Sequence, residues 1–348
     1  MQTRIFRQAA LFAAILVSVA GFNPAYCQIM DEESSTDPET LILLSKLPLW
    51  KGSFTFGKET YKYTMVGTDP KLEGRHDSII PVTLMPLVLT FPGTHIVSDA
   101  TFPGVVDRVL QSPLFVPALF TEGFVELGPT QYLDAYQRAN FWHNIDSTHD
   151  FHVWLQPSKV SVQHLSAPPT SRCPAVDQSG KVQIDWTVLD PYLRYLLMAY
   201  AKPNELTVFL LGDVSICNFK NGGGSGVVGY HSYSLTLLGT ATYAVATYDE
   251  SKNVSTLSHE LGEWMANPLG LSKAPPWPDD GKCKTALEIG DPLSHQRFDV
   301  YRNGYPYHLQ DLAFLSWFAH ESPSSALNGW YSFKHLLPSP DAAICQPN

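Results

Sequence analysis

Apolar and polar residues alternate in short runs through the first part of the chain, which is the period of strands. Phe54-Thr55-Phe56 and Tyr61–Val66 read as strands, and Ile79–Phe91 follows with alternating and branched apolar residues. Pro81 and Pro86 predict an edge or bulged strand for that last run, because proline cannot donate to a ladder. The period lengthens to that of a helix at Val105–Leu110 and again at Gln131–Trp142, where Tyr132, Tyr136, Ala139 and Phe141 suggest one buried face. Phe151–Leu155 returns to a strand. A Pro, Ser and Thr stretch, Ala167–Cys173, then marks the expected boundary between two units.

Beyond it, Leu189, Tyr192, Leu193, Leu196, Leu197 and Tyr200 fall at helical spacing, with Asp190 as N-cap and Pro191 in the first turn. Thr207–Leu211, Val227–Ser234 and Ala241–Tyr248 read as strands. Gly222-Gly223-Gly224 separates the first two; it lacks the Gly-Lys-Ser/Thr ending of a phosphate loop and opens no helix, so it reads as a flexible turn. A helix over Asn253–Pro268 follows, capped by Asn253 or Ser255 and stopped by Pro268. His308, with Gln310 and Asp311, opens an aromatic helix running to Trp317. The expected class is α+β, with a β-rich N-terminal unit at 41–166 and a C-terminal unit at 174–348 built from a mixed sheet and helices.

The first 27 residues stand apart from this pattern. Arg4 and Arg7 precede an apolar stretch, Ala9–Ala20, with small-residue cleavage options after Ala20 or Cys27, the layout of a secretory signal peptide. The polar, acidic stretch that follows predicts a flexible segment at 28–40. Signal removal takes the net charge from −10 to −12 and leaves Cys173, Cys217, Cys283 and Cys345, an even number suited to an oxidising extracellular or periplasmic compartment. Three pairings are open to them. No closely spaced pair points to a tetracysteine zinc site. A strongly acidic chain with no basic stripe excludes nucleic acid as the expected partner, and membrane contact after signal cleavage is equally unexpected.

Chemistry concentrates in the helix over 253–268. Leu257, Leu261, Trp264 and Met265 fall in one sector of roughly 100°, and His259, Glu260, Glu263 and Asn267 fall on the other side. His259 and Glu263 at i and i+4 can aim at one point, with Glu260 beside them. In the zincin helix H-E-x-x-H two histidines hold Zn²⁺ while the Glu activates water; here Glu263 takes the place of the second His, and a carboxylate is also a zinc ligand. Downstream, Leu287-Glu288-Ile289-Gly290-Asp291-Pro292 sets Glu288 and Asp291 beside a glycine, either of them eligible as the third ligand.

Ser258-His259-Glu260-Leu261, Glu263, Asn267-Pro268 and Glu288-Ile289-Gly290-Asp291, preceded by Gly229-Tyr230-His231 and Tyr243-Ala244-Val245, resemble the C-terminal half of the exordium-like (phosphate-induced) secreted proteins of plants. They also resemble uncharacterised microbial secreted proteins with S-H-E-x-x-E and E-I-G-D elements. The resemblance covers roughly residues 205–295 and implies secretion and a zincin-like unit. In the plant proteins a Cys closely follows E-I-G-D, whereas here Pro292 and Leu293 do. Thr130–Trp142 resembles the microbial group only.

His231 is expected to face the helix as a further metal ligand or to stabilise an oxyanion, as could Tyr230. No G-x-S-x-G supports a serine hydrolase. The expectation is a secreted metal-dependent hydrolase resembling a zinc metallopeptidase: His259, Glu263 and Glu288 or Asp291 as ligands, Glu260 as general base, Zn²⁺ as the ion and Ca²⁺ as its alternative. The substrate would be a peptide or protein. The alternative is a non-catalytic extracellular protein in contact with cell wall or polysaccharide.

Overall fold

A computed structural model describes residues 36–145, 151–217, 226–279 and 281–345. The expected signal peptide at 1–27 and the glycine run at 222–224 lie outside them. Helix α1, Pro38–Leu44, already occupies part of the segment expected to be flexible, with Leu41 buried. Hairpin β1 (Leu49–Phe56) and β2 (Glu59–Val66) follows, then β3 (His76–Thr90) and β4 (Val97–Asp99). After α2 (Val105–Leu110) come β5 (Ala118–Glu122), β6 (Val125–Thr130), α3 (Tyr132–Asn140), β7 (Phe151–Lys159), β8 (Gln163–Ser166) and β9 (Gln183–Asp185). The next stretch holds α4 (Trp186–Tyr200), β10 (Leu206–Gly212), β11 (Ser215–Cys217), β12 (Gly229–Thr236), β13 (Gly239–Tyr248) and α5 (Ser255–Ala266). Hairpins β14 (Lys273–Asp279) with β15 (Lys282–Ala286) and β16 (Arg297–Arg302) with β17 (Tyr305–Gln310) precede the short α6 (Leu315–Phe318).

One mixed sheet of order β12-β13-β10-β3-β4, with β7 and β8 also paired to β3, organises the molecule. β13, β10, β3 and β7 run parallel, and β12 is antiparallel at one edge. β3 comes from before the expected boundary at 167–173, and β10, β12 and β13 come from after it, so residues 38–348 form one compact unit. Both faces of this sheet are covered, so β13 is buried along its whole length and β10 at every residue but Gly212. Side chains alternate between faces with period two. Ile80, Val82, Leu84, Val208, Leu210, Ala244 and Ala246 join one core with α3 and α5, while Met85, Leu87, Phe209, Leu211, Tyr243 and Val245 join the other with α4.

β3 corrects the expectation of an edge or bulged strand: it is the central strand. Its two prolines fit because each lies where one flank has no register partner. Pro81 pairs with β7 before the β10 ladder begins at Val82; Pro86 pairs with β10 in the gap between the β7 ladder, which ends at Leu84, and the β8 ladder, which begins at Leu87. No ladder bond is lost on the open side. α4 also begins earlier than expected. Asp185, not Asp190, caps it by accepting from the Thr187 N–H, and Pro191 lies inside the helix. Asp190 is instead buried, accepting from Tyr230 and Tyr243 hydroxyls and from Arg194. His308 opens no helix: it lies in β17 and donates from Nδ1 to Asp299 Oδ1 at 2.6 Å.

Of the three open cysteine pairings the protein uses Cys173–Cys217 and Cys283–Cys345. No described helix is long and apolar enough to cross a membrane. The disulfides fit an oxidising compartment.

Candidate functional site

α5 carries a cluster of titratable groups, His259, Glu260 and Glu263, and its surroundings fix their positions. Its apolar face, with Leu257, Leu261, Trp264 and Met265, packs into the core as the spacing predicts, each residue contributing about 2 kcal/mol by burial. The opposite face is buried as well, against β12, β17 and the segment 288–291. Neither Asn253 nor Ser255 caps the helix through a standard side-chain bond. Asn253 adopts a left-handed conformation (φ 32°) and its Oδ1 accepts from the N–H groups of Val254 and His308, tying the helix start to β17. Asn267 ends the helix; its amide donates to Glu288 Oε1 at 3.1 Å.

His231 reaches the polar face of α5 by strand alternation. In β12, Tyr230 faces α4 and bonds Asp190, so its neighbour His231 faces α5. The oxyanion role considered for Tyr230 is therefore not available to it here.

The ligand atoms converge in two overlapping groups. His259 Nε2 lies 3.2 Å from Glu263 Oε1 and 3.7 Å from Asp291 Oδ1. His231 Nε2 lies 3.1 Å from Glu288 Oε2 and 3.9 Å from Glu263 Oε2. In each group one atom from each residue lies within 4.8 Å of the others. Tetrahedral bonds of 2.0–2.2 Å place neighbouring ligand atoms about 3.4 Å apart, so both groups have the span of a first-row metal site. Glu288 and Asp291, equally eligible from the sequence, thus go to different histidines.

Further partners hold the remaining atoms. Gln310 donates its amide N–H to the Gly290 carbonyl at 2.7 Å, which turns its Oε1 toward His259 Nδ1 at 3.0 Å. His259 then donates through Nδ1, and in the neutral ring this leaves the Nε2 lone pair for a metal. The Gly290 N–H donates to Glu263 Oε1, and Lys284 donates to Asp291 Oδ2 at 2.7 Å. Gln310, Lys284 and Gly229 carry no metal-site signature in the sequence; only their places in the fold reveal them.

Electrostatics here are dominated by crowded acid. Burial raises the Glu260 pKa to about 8, against the opposing pull of His259 and His231. Burial also raises Glu263. For the histidines burial favours the neutral ring, yet Glu288, Glu263 and Glu260 outweigh it and lift His231 to about 9, and Glu263, Glu260 and Asp291 raise His259. With no ion bound, the cluster holds protons to offset its anions.

No protein-family model, curated protein or solved structure matches the chain.

Proposed function

We propose that this protein is a secreted metal-dependent hydrolase acting on peptide bonds, with a zincin-like helix. The observation that carries the reading is the convergence of His259, Glu263 and Asp291 on one point, with the carboxylate of Glu260 beside it. The histidine nitrogen among the donors favours Zn²⁺ over Ca²⁺, which prefers an all-oxygen shell. An ion held there would supply Lewis acidity, polarising the scissile carbonyl and acidifying water.

The chain's own residues would do the rest. Glu260 accepts a proton from the attacking water and returns it to the leaving amine, so one water is consumed and a carboxylate and an amine are released. Gln310 holds the His259 ring, and Lys284 holds the outer oxygen of Asp291. Two disulfides support extracellular work.

Metal analysis of the purified mature protein tests the reading. Near-stoichiometric zinc that is lost in His259→Ala is expected, and Glu260→Gln should retain the metal while hydrolysis of a denatured-protein substrate falls by about 100-fold or more. Undiminished hydrolysis in Glu260→Gln removes the assigned base. A chain that takes up no zinc and hydrolyses nothing is the non-catalytic binding protein.

A further inference from the structure

Glu263 stands where a zincin helix carries its second histidine, and the two oxygens of its carboxylate face different histidines. Oε1 is 3.2 Å from His259 Nε2 on its own helix, and Oε2 is 3.9 Å from His231 Nε2 on β12. A histidine at this position has one free lone pair for a metal and serves one centre. A carboxylate offers an oxygen to each of two. We propose that the site is dinuclear: it binds a pair of first-row divalent cations, one held by His259 and Asp291, the other by His231 and Glu288, with Glu263 bridging them.

This rests on the metal-centre reading above and doubles it. Each half has the same donor set, one imidazole nitrogen and one private carboxylate, completed by one oxygen of the shared carboxylate. The private carboxylates are held alike. Asn267 takes the far oxygen of Glu288 and Lys284 the far oxygen of Asp291, leaving Oε2 and Oδ1 toward the histidines. Two ions joined by one carboxylate sit about 3.5–4 Å apart.

An independent observation is charge. Glu260 is 5% exposed, and among the described residues its carboxylate has no hydrogen-bond partner, though its electrostatic neighbours are His259, Glu263, His231 and Asp291. Glu260, Glu263, Glu288 and Asp291 together carry four negative charges when ionised. The one lysine in contact, Lys284, is shared with Asp279. Burying several carboxylates in one place is costly unless cations stand among them. A single divalent ion cancels half of the four; two cancel all of them with both histidines neutral.

The test is metal stoichiometry of the full secreted chain, stripped with chelator and reloaded with Zn²⁺. About two zinc ions are expected in the wild type and about one in either His231→Gln or His259→Gln. Glu263→Gln should weaken uptake at both positions, each by more than about tenfold. One zinc in the wild type, kept in His231→Gln and lost in His259→Gln, overturns the pair and leaves the single His259 centre standing. One zinc lost in His231→Gln and kept in His259→Gln overturns both readings, as does no zinc at all. Loading the wild type with Mn²⁺ answers the same question if a variant fails to fold. An exchange-coupled electron paramagnetic resonance spectrum supports the bridge, and the hyperfine pattern of isolated ions overturns it.

Discussion

Two glycines set how closely α5 can be approached. A Cβ at Gly290 would stand 2.6 Å from His259 Nδ1, and one at Gly229 would stand 2.4 Å from Glu260 Oε1. Neither contact is tolerable, so each position needs the missing side chain for space. Gly290→Ala should push the His259 ring off its Gln310 partner and weaken zinc binding by roughly 10–100-fold in a calorimetric titration. Gly229→Ala should instead displace Glu260, leaving metal content unchanged while hydrolysis falls by about 100-fold. Equal effects of the two variants on metal affinity would contradict the separate roles given to His259 and Glu260. Gly290 was visible beside Glu288 and Asp291, but its need for close approach belongs to the packed site. For the same reason the sequence left Glu288 and Asp291 interchangeable. Three residues separate them along the chain, and only the turn between them sends one to His231 and the other to His259.

Among the elements, apolar periodicity was enough to locate α3, α4, α5, β10 and β13, because each buries a regular stripe or a continuous run. It failed where different elements share one spacing. Leu309, Leu312, Ala313 and Trp317 fit a helix on paper, yet they come from β17, the loop after it and α6. It failed again at Asp190, whose Asp-Pro pair imitates a helix start. That carboxylate is 1% exposed and joins α4 to β12 and β13 through Tyr230, Tyr243 and Arg194. Asp190→Ala should therefore cost about 3–5 kcal/mol in urea unfolding, since it strips a buried guanidinium of its carboxylate. A cost within about 0.5 kcal/mol would mean that this network does not hold α4 on the sheet.

At the scale of the whole molecule, Asp311 makes stability respond to pH from outside the candidate centre. It accepts from the N–H groups of Leu312 and Lys334 and from the Ser332 hydroxyl, linking the end of β17 to the C-terminal segment. Burial outweighs these bonds and raises its pKa to about 6. The folded chain thus binds this proton more tightly than the unfolded chain, where the pKa is about 4. Between those values the folded state holds more protons, so this group's contribution to stability falls as pH rises from about 4 to 6 and is level above that. The full span is at most about 3 kcal/mol. Asp311→Asn, close in shape, should remove that slope from melting temperatures measured across pH 4–7; an unchanged slope would assign it to other groups.

The prolines of β3 bear on what happens before the sheet exists. β3 finds its parallel neighbours in β7, β8 and β10, far along the chain, so His76–Thr90 waits as a long apolar stretch while those segments arrive. Such a stretch invites pairing with its own kind in another molecule. In the native sheet Pro81 and Pro86 sit where a hydrogen bond is not needed, but in an in-register stack of identical strands both would interrupt the ladder on every copy. Replacing both with Val should leave native pairing intact yet lower the yield of soluble protein on refolding from denaturant, with more thioflavin-positive aggregate. The two residues that looked like defects in a central strand then act as a safeguard against self-association during folding.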